Sequence, residues 1–390
     1  MKIAILNNLY PPERRGGALK IAELMTKGFF DQGHHIFVIS TSREKSRIEK
    51  RESARIYYLK SFYLKLHKFP LPIRLFWQLF NLFNLSKYLK IKRILKKEKP
   101  DLVITHNLQG LGQLTPRAIK KSGVKHFHLL HDIQLIHPCG LLLAGKEKKL
   151  KTISCRIYSH INKIMINSPD YVISPSAWLM QKHKKKNFFP GSYTKILPNP
   201  IDSDPELKKI KKFQKFTLTY IGQLEKHKGA DKLIKIFKDL NDREKGVSRL
   251  LIVGSGSLLP KLKKENKNNP RIIFTGWLSK KETNKTLARS HFLIIPSLCY
   301  ENYPSIIPEA FNLETPVMAS RLGGIPEIIK DEDFLFNPLN RREMKEKIKK
   351  AIKNYDSYQK NFLSSVYKNN QINSRQYIKK IEKLIKENKS

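Results

Sequence analysis

Glu301-Asn302-Tyr303-Pro304-Ser305-Ile306-Ile307-Pro308-Glu309 sets two carboxylates eight positions apart across the start of an expected helix. The apolar run 291–298 ahead of Glu301 reads as a buried parallel strand closed by Pro296 and Ser297. Pro304 steers Tyr303 away from helical backbone, and Pro308 is compatible only with a first helical turn. Glu301 is therefore expected in a loop at a strand's carboxyl end and Glu309 in the first turn of the next helix. The backbone N–H groups of Ser305, Ile306 and Ile307 lie between them. In open α/β sheets, ligands bind at that edge. Main-chain N–H groups at a helix start suit a phosphate and carboxylates suit sugar hydroxyls, a pairing that a nucleotide sugar supplies. A plainer reading makes Ser305 an N-cap and Glu309 a favourable charge beside the helix dipole.

A chain of 390 residues has room for two cores, and its 40% hydrophobic content fits a globular protein. Lys and Arg number 76 against 33 Asp and Glu, a formal charge of +43. That excess attracts polyanions: nucleic acid, an anionic lipid surface or a phosphorylated substrate. A composition rich in Lys, Ile and Asn also arises from codon bias alone. No helix-turn-helix, zinc-finger or RNP-like segment is visible, so nucleic acid is not an expected partner. No apolar run reaches the roughly 18 to 20 residues that span a bilayer, and 1–6 reads as a strand and not as a secretory signal. The expected location is cytoplasmic. Cys139, Cys155 and Cys299 match no common zinc spacing and are expected as reduced thiols, with pairing or metal binding by Cys139 and Cys155 as the alternative.

Short apolar runs alternate with helical patterns, the signature of parallel sheets covered on both faces. Strands are expected at 2–6, 35–40, 55–59, 101–106, 125–131 and 171–174, then at 216–221, 250–253, 271–275, 291–296 and 316–320. Two doubly wound α/β units follow, with Ile196-Leu197-Pro198-Asn199-Pro200-Ile201-Asp202 and the charged stretch 204–215 as the linker. The domains are set at 1–203, 204–370 and a final helix at 371–390, where Ile372, Tyr377, Ile378, Ile381, Leu384 and Ile385 recur at helical spacing.

Between 62 and 89 lie Phe62, Tyr63, Phe69, Phe76, Trp77, Phe80, Phe83 and Tyr88, flanked by Lys65 and Lys68 before and by Lys87, Lys90, Lys92, Arg93, Lys96 and Lys97 after. An aromatic helix with cationic ends matches an interfacial binder, so the 62–97 region is a candidate contact with an anionic membrane surface. A core helix with a solvated lysine face gives the same pattern.

The run Glu-x7-Glu, continued by Ala310-Phe311, Thr315-Pro316-Val317-Met318-Ala319-Ser320 and Gly323-Gly324-Ile325-Pro326-Glu327-Ile328-Ile329, resembles the signature of the large retaining glycosyltransferase family 4. The resemblance implies the GT-B fold: two Rossmann-like domains facing an interdomain cleft, with the C-terminal helix crossing back to the first domain. It implies that Glu301 holds the donor sugar and Glu309 the ribose, with Tyr303 nearby and Ser305 and Ile306 meeting the phosphate through backbone N–H groups. Gly222-Gln223-Leu224-Glu225-Lys226-His227-Lys228-Gly229 is similar to a family segment that usually reads Gly-Arg-Leu with a later Lys-Gly. Lys228 then counters the leaving diphosphate, while Gln223 stands where Arg is expected and adds no charge, with Lys226 as a compensating cation.

Gly16-Gly17 leaves the first βα loop without side chains where a phosphate could approach, and Tyr10-Pro11-Pro12-Glu13 resembles the family's opening loop. His131, at a strand's end, matches the histidine that faces the reacting sugar in relatives; Asp132 is placed to orient it and His106 to line an acceptor pocket. His126, His128, His131 and His137 also raise a metal cluster, but without the open geometry of a catalytic site, so no metal and no cofactor are expected. Gly254-Ser255-Gly256, Gly276, Trp277 and Leu278 fall where similar enzymes hold the nucleobase; core packing is the alternative for Trp277. Glu314 replaces a frequent Gly and Arg321 a frequent Asp.

The combined expectation is a metal-independent retaining hexosyltransferase. It takes a nucleotide diphosphate sugar as donor and a glycan or lipid-linked acceptor, in cell-surface polysaccharide, lipopolysaccharide or glycolipid synthesis. Its place is the cytoplasm, peripheral on the inner face of the cell membrane. Another GT-B enzyme such as a nucleotide-sugar epimerase, or a non-catalytic basic polyanion-binding protein, remains open.

Overall fold

The computed structural model describes residues 1–12, 16–202, 205–240, 247–366 and 372–387. Glu13 and the boundaries expected at 203/204 and 370/371 lie outside the described residues. The chain forms two compact units, one of Met1–Leu141, Lys148–Asn199 and Ser374–Ser390, the other of Leu142–Glu147 and Pro200–Asn373.

In the first unit the elements run β1 (Lys2–Leu6), α1 (Gly17–Phe30), β2 (His35–Ser42), β3 (Arg47–Arg51), β4 (Ala54–Lys60), α2 (Leu71–Leu82), α3 (Leu85–Glu98), β5 (Leu102–Thr105), α4 (Thr115–Lys121), β6 (Lys125–Leu129), α5 (Ile153–Ile166), β7 (Tyr171–Ser174), α6 (Ala177–Lys184) and β8 (Tyr193–Ile196). Among the described residues the sheet order is β3-β4-β2-β1-β5-β6-β7-β8. The central strands are apolar on both faces because helices cover both, and they pair in parallel, with Ile3 opposite Ile36 on one side and Leu102 on the other. The order reverses at β1, so the loops after β1 and β5 diverge and open a crevice at their carboxyl ends.

β3 and β8 were not expected. Both are edge strands, and β3 reads Arg-Ile-Glu-Lys-Arg, paired antiparallel to β4. Its charged side chains protect the edge from further pairing and hide the strand from an apolar-run search. The single helix expected across the aromatic region is instead a 3₁₀ turn, Phe62–Lys68, followed by α2 and α3. The break comes at Asn84, whose side chain accepts from the Lys87 N–H and starts α3 afresh.

The second unit comprises α7 (Pro205–Lys208), β9 (Phe216–Ile221), α8 (Ala230–Lys238), β10 (Val247–Val253), α9 (Leu259–Glu265), β11 (Ile272–Gly276), α10 (Lys280–Arg289), β12 (Phe292–Ile295), α11 (Ile306–Asn312), β13 (Val317–Ser320), α12 (Ile325–Ile328), β14 (Leu335–Phe336), α13 (Arg341–Lys353) and α14 (Tyr355–Val366). Its sheet is parallel in the order β11-β10-β9-β12-β13-β14 among the described residues. The short β14 was missed because two residues show no period. Here the order reverses between β9 and β12, so the loops that carry Gln223 to Lys228 and Glu301 to Ser305 flank the switch point.

The last helix, α15 (Ser374–Lys386), belongs to the first unit. It buries Tyr377, Ile378, Ile381 and Ile385 and packs on α1, with Ile378 seated over Gly28. His34 Nε2 and Glu382 Oε1, 2.9 Å apart, close the contact at its polar edge. The apolar stripe read from the sequence has its partner there.

Candidate active site

In the second unit, β9 and β12 deliver their following loops side by side. Lys228 ends a 3₁₀ turn, Lys226–Lys228, and its Nζ lies 2.5 Å from Glu301 Oε1. The same oxygen accepts from Ser297 Oγ at 2.8 Å. Both side chains are largely withdrawn from water. Burial pushes the Glu301 carboxyl up, but the Lys228 ammonium and the hydroxyl donor outweigh it, and the net shift is below the usual carboxylate range. For Lys228, burial favours the neutral form and Glu301 overrides it, so its pKa is raised. The pair is ionic, and an ammonium with three donors keeps others for an incoming anion.

The Glu301 backbone is fixed too. Its carbonyl accepts from the Gly324 N–H at 2.8 Å, and a Cβ on Gly323, at φ 68°, would lie 2.0 Å from that oxygen. Only glycine admits the α12 loop there.

Ser305 stands at the N-cap of α11 without a side-chain capping bond, so the plain capping role does not hold. Glu309 N–H donates to Ser305 O at 3.0 Å, the first regular helical bond, so the Ser305 and Ile306 N–H groups precede the ladder. Ile307 differs from expectation: its N–H donates to Pro304 O in a tight first turn and is not on offer. Glu309 lies in the first turn as expected, and its Oε2 is 2.6 Å from Lys280 Nζ. That contact ties α11 to the start of α10. Trp277 is 71% exposed, so core packing does not account for it. Tyr303 packs against the unit's core, and burial pushes its hydroxyl up to about 12.

Gln223 is exposed, and its carbonyl accepts from Tyr220 Oη at 2.7 Å. Lys226 is exposed beside it. Glu225, which sequence reading passed over, accepts from the Ser257 N–H at 2.8 Å and Ser257 Oγ at 2.6 Å, binding this loop to the Gly254–Ser255–Gly256 turn. Lys280 was also passed over, since one lysine among many gives no signal. Glu314 sits just past α11 at φ 54°, a conformation that explains why glycine is common there in the family it resembles. Arg321 pairs with Glu332 at 2.6 Å.

In the first unit, Gly16 and Gly17 form the exposed start of α1, Gly16 at φ 92°. At the crevice beside β5, His106 Nδ1 and His131 Nε2 are 2.8 Å apart, the rings stacked at 5.0 Å. The Asp132 carboxylate accepts from the Gln134 N–H at 2.7 Å and from Asn107 Nδ2 at 3.3 Å, while the ring nitrogen set against His131 is that of His106. Burial lowers the His131 pKa to about 4 and raises that of Asp132 to about 6. His131 is thus a neutral hydrogen-bonding group near pH 7. His106 Nε2 is buried without a partner, so the least unmet hydrogen bonding puts the shared proton on His106 Nδ1 and leaves the His131 proton on Nδ1. His126 and His128 lie beneath, both on Thr105 Oγ1 at 2.7 and 2.8 Å. Cys139, Cys155 and Cys299 are unpaired.

Comparison with known proteins matches both units. The family described as glycosyl transferases group 1 matches residues 203–369, and glycosyltransferase family 4 matches residues 15–205. An uncharacterized 42.6 kDa protein in the cps region of Klebsiella pneumoniae is 25% identical, over 84% of this chain and 87% of its own. Sucrose-phosphate synthase from Thermosynechococcus elongatus superimposes with a TM-score of 0.75 at 16% identity, covering 99% of this chain and 98% of that one. Anabaena HepE in complex with UDP gives 0.72 at 15% identity, covering 99% and 100%. The fold is GT-B.

Proposed function

Because the chain belongs to the group 1, family 4 glycosyltransferases, we propose that it moves a hexosyl group from a nucleotide diphosphate sugar to an acceptor hydroxyl, with retained anomeric configuration. The observation that carries this reading is the Lys228–Glu301 ion pair at the switch point of the second sheet, with Glu309 at the adjoining helix start.

In this reading Glu301 accepts from hydroxyls of the donor sugar and Glu309 from those of the ribose. The Ser305 and Ile306 N–H groups and Lys228 meet the diphosphate, whose charge grows as the sugar–oxygen bond breaks. Their donors are in place before that charge develops, which is where such groups lower a barrier. Charge neutralisation thus comes from the chain's own groups, and no metal is assigned. Gly17 approaches the donor phosphate, Gln223 contributes a neutral amide, and Trp277 and Leu278 meet the base. His131, neutral and held by His106, serves the reacting centre as a hydrogen-bonding group and not as a proton source.

Structures of HepE hold UDP and UDP-glucose, which supports a uridine donor as the first probe. The relative in a cps region supports a place in polysaccharide synthesis, and the acceptor we assign is a glycan or a lipid-linked glycan. Among the described residues no helix is long and apolar enough to cross a membrane. A cytoplasmic protein held peripherally on an anionic membrane surface through 62–97 fits that pattern. Isothermal titration with UDP-, GDP- and ADP-sugars, then product analysis with and without acceptor, tests the proposal. Acceptor-dependent product is expected. Free nucleotide without acceptor indicates an epimerase-type enzyme instead, and binding of polynucleotide but of no nucleotide diphosphate indicates a basic binding protein.

A further inference from the structure

Leu142–Glu147 belong to the second unit, although the chain on both sides of them belongs to the first. They form one antiparallel rung there: Leu143 pairs with Cys299, the Ala144 N–H donates to Leu298 O at 2.9 Å, and the Tyr300 N–H donates to Leu142 O at 2.8 Å. Leu142 and Cys299 are buried. Gly145, at φ 76°, then turns the chain back, and the Lys146 N–H closes the turn on Leu143 O at 3.0 Å. The turn brings Glu147 to Tyr300, whose hydroxyl donates to Glu147 Oε1 at 2.8 Å; the same oxygen accepts from the Gly145 N–H at 2.8 Å. Burial and the Glu147 carboxylate push the Tyr300 hydroxyl up to about 12, so it remains a donor.

The clasp closes on the residues directly ahead of Glu301. Leu298 is held from both sides, since its N–H donates to His227 O at 2.8 Å in the turn that carries Lys228. Cys299 Sγ lies 3.3 Å from Ser297 Oγ and 3.5 Å from Glu301 Oε1, so the clasped residues touch the carboxylate itself. On the other side of Glu301, the Gly324 N–H holds its carbonyl. Glu301 therefore stands between two fixed points, one supplied by the loop before α12 and the other by a strap whose Glu147 is 153 positions away from Tyr300. A carboxylate that must meet sugar hydroxyls needs such restraint, because a displacement of about 1 Å costs on the order of a hundredfold in rate.

We propose that Glu147 and Tyr300 are positioning residues for the donor sugar: their hydrogen bond locks the strap 142–147 onto 298–300 and so sets where Glu301 stands. The sugar role of Glu301 rests on the glycosyl-transfer reading; the clasp does not.

Tyr300→Phe and Glu147→Ala each remove the bond, and Glu147→Gln keeps an oxygen that accepts it. Amide hydrogen exchange of the full-length chain, read by mass spectrometry, is expected to quicken at least about fivefold over 142–147 and 298–301 in the first two variants. Isothermal titration is expected to show the Kd for the nucleotide sugar rising about tenfold in both, with that for the matching nucleoside diphosphate within about twofold of wild type and Glu147→Gln close to wild type for each. A seam that only stabilises the fold would move both ligands together. Exchange equal to wild type in Tyr300→Phe and Glu147→Ala overturns the clasp. Faster exchange with no loss for either ligand, or with the same loss for both, overturns the positioning role, as does a Glu147→Gln variant as impaired as Glu147→Ala. If UDP-, GDP- and ADP-glucose all fail to bind wild type while exchange still quickens in the variants, the glycosyl-transfer reading fails and the clasp stands.

Discussion

Lys228 Nζ lies 2.5 Å from Glu301 Oε1 although 73 positions separate the two residues in the chain. Each holds the other charged in a largely dehydrated setting, so neither is separable from the other. Lys228→Met is expected to cost about 2 kcal/mol of stability by leaving a poorly solvated carboxylate alone, and to lower kcat/KM at least about a hundredfold. Because the Glu301 pKa is depressed, its stabilisation is present above the usual carboxylate range and lost as pH falls through the folded value. Urea denaturation should show that acid-side loss in wild type and not in Lys228→Met; the same profile in both would uncouple the pair.

Glu309→Ala removes the proposed ribose acceptor and releases Lys280. The donor KM is expected to rise at least about tenfold with kcat less affected, the pattern for a lost charged hydrogen bond in binding. An unchanged donor KM would take Glu309 out of that role.

Gly323→Ala forces a Cβ against the Glu301 carbonyl at a left-handed backbone position. Relief requires moving Glu301, so activity is expected to fall by tenfold or more while calorimetry records a loss of about 1 to 3 kcal/mol. Full activity would mean that the Glu301 backbone position is not critical.

Glu314→Gly relieves a left-handed residue at the end of α11, and a gain of about 1 kcal/mol is expected from chemical denaturation. A loss would show that the side chain's own contacts outweigh the strain.

Acid should weaken the first unit before it protonates most carboxylates. Burial lowers His126 to about 3 and His131 and His183 to about 4, against an ordinary value near 6.5. Below about pH 6.5 the unfolded chain binds protons that the folded one refuses, so stability falls with pH until about 4. Asp132, raised to about 6, acts in the opposite sense and offsets roughly one histidine. Thermal midpoints are expected to drop steeply between pH 7 and 5; a flat profile would mean that these imidazoles open to water without unfolding.

Local chemistry made much of this molecule legible in advance. β1, β7 and β9 begin and end where the apolar runs do, because a strand covered on both faces is written as an unbroken apolar segment. The placement of Glu301 after β12 and of Glu309 in the first turn of α11 follows from Pro304 and Pro308, whose constraints act within a residue or two. The stripe from Tyr377 to Ile385 likewise announced a buried face. What covers that face was not written there: α1 and Gly28 are more than 300 positions away. The same holds for Lys228 with Glu301, Lys280 with Glu309 and His106 with His131. Hydrophobic period and backbone restriction are properties of adjacent residues, whereas a charge or an imidazole takes its partner from whichever strand the sheet order lays beside it.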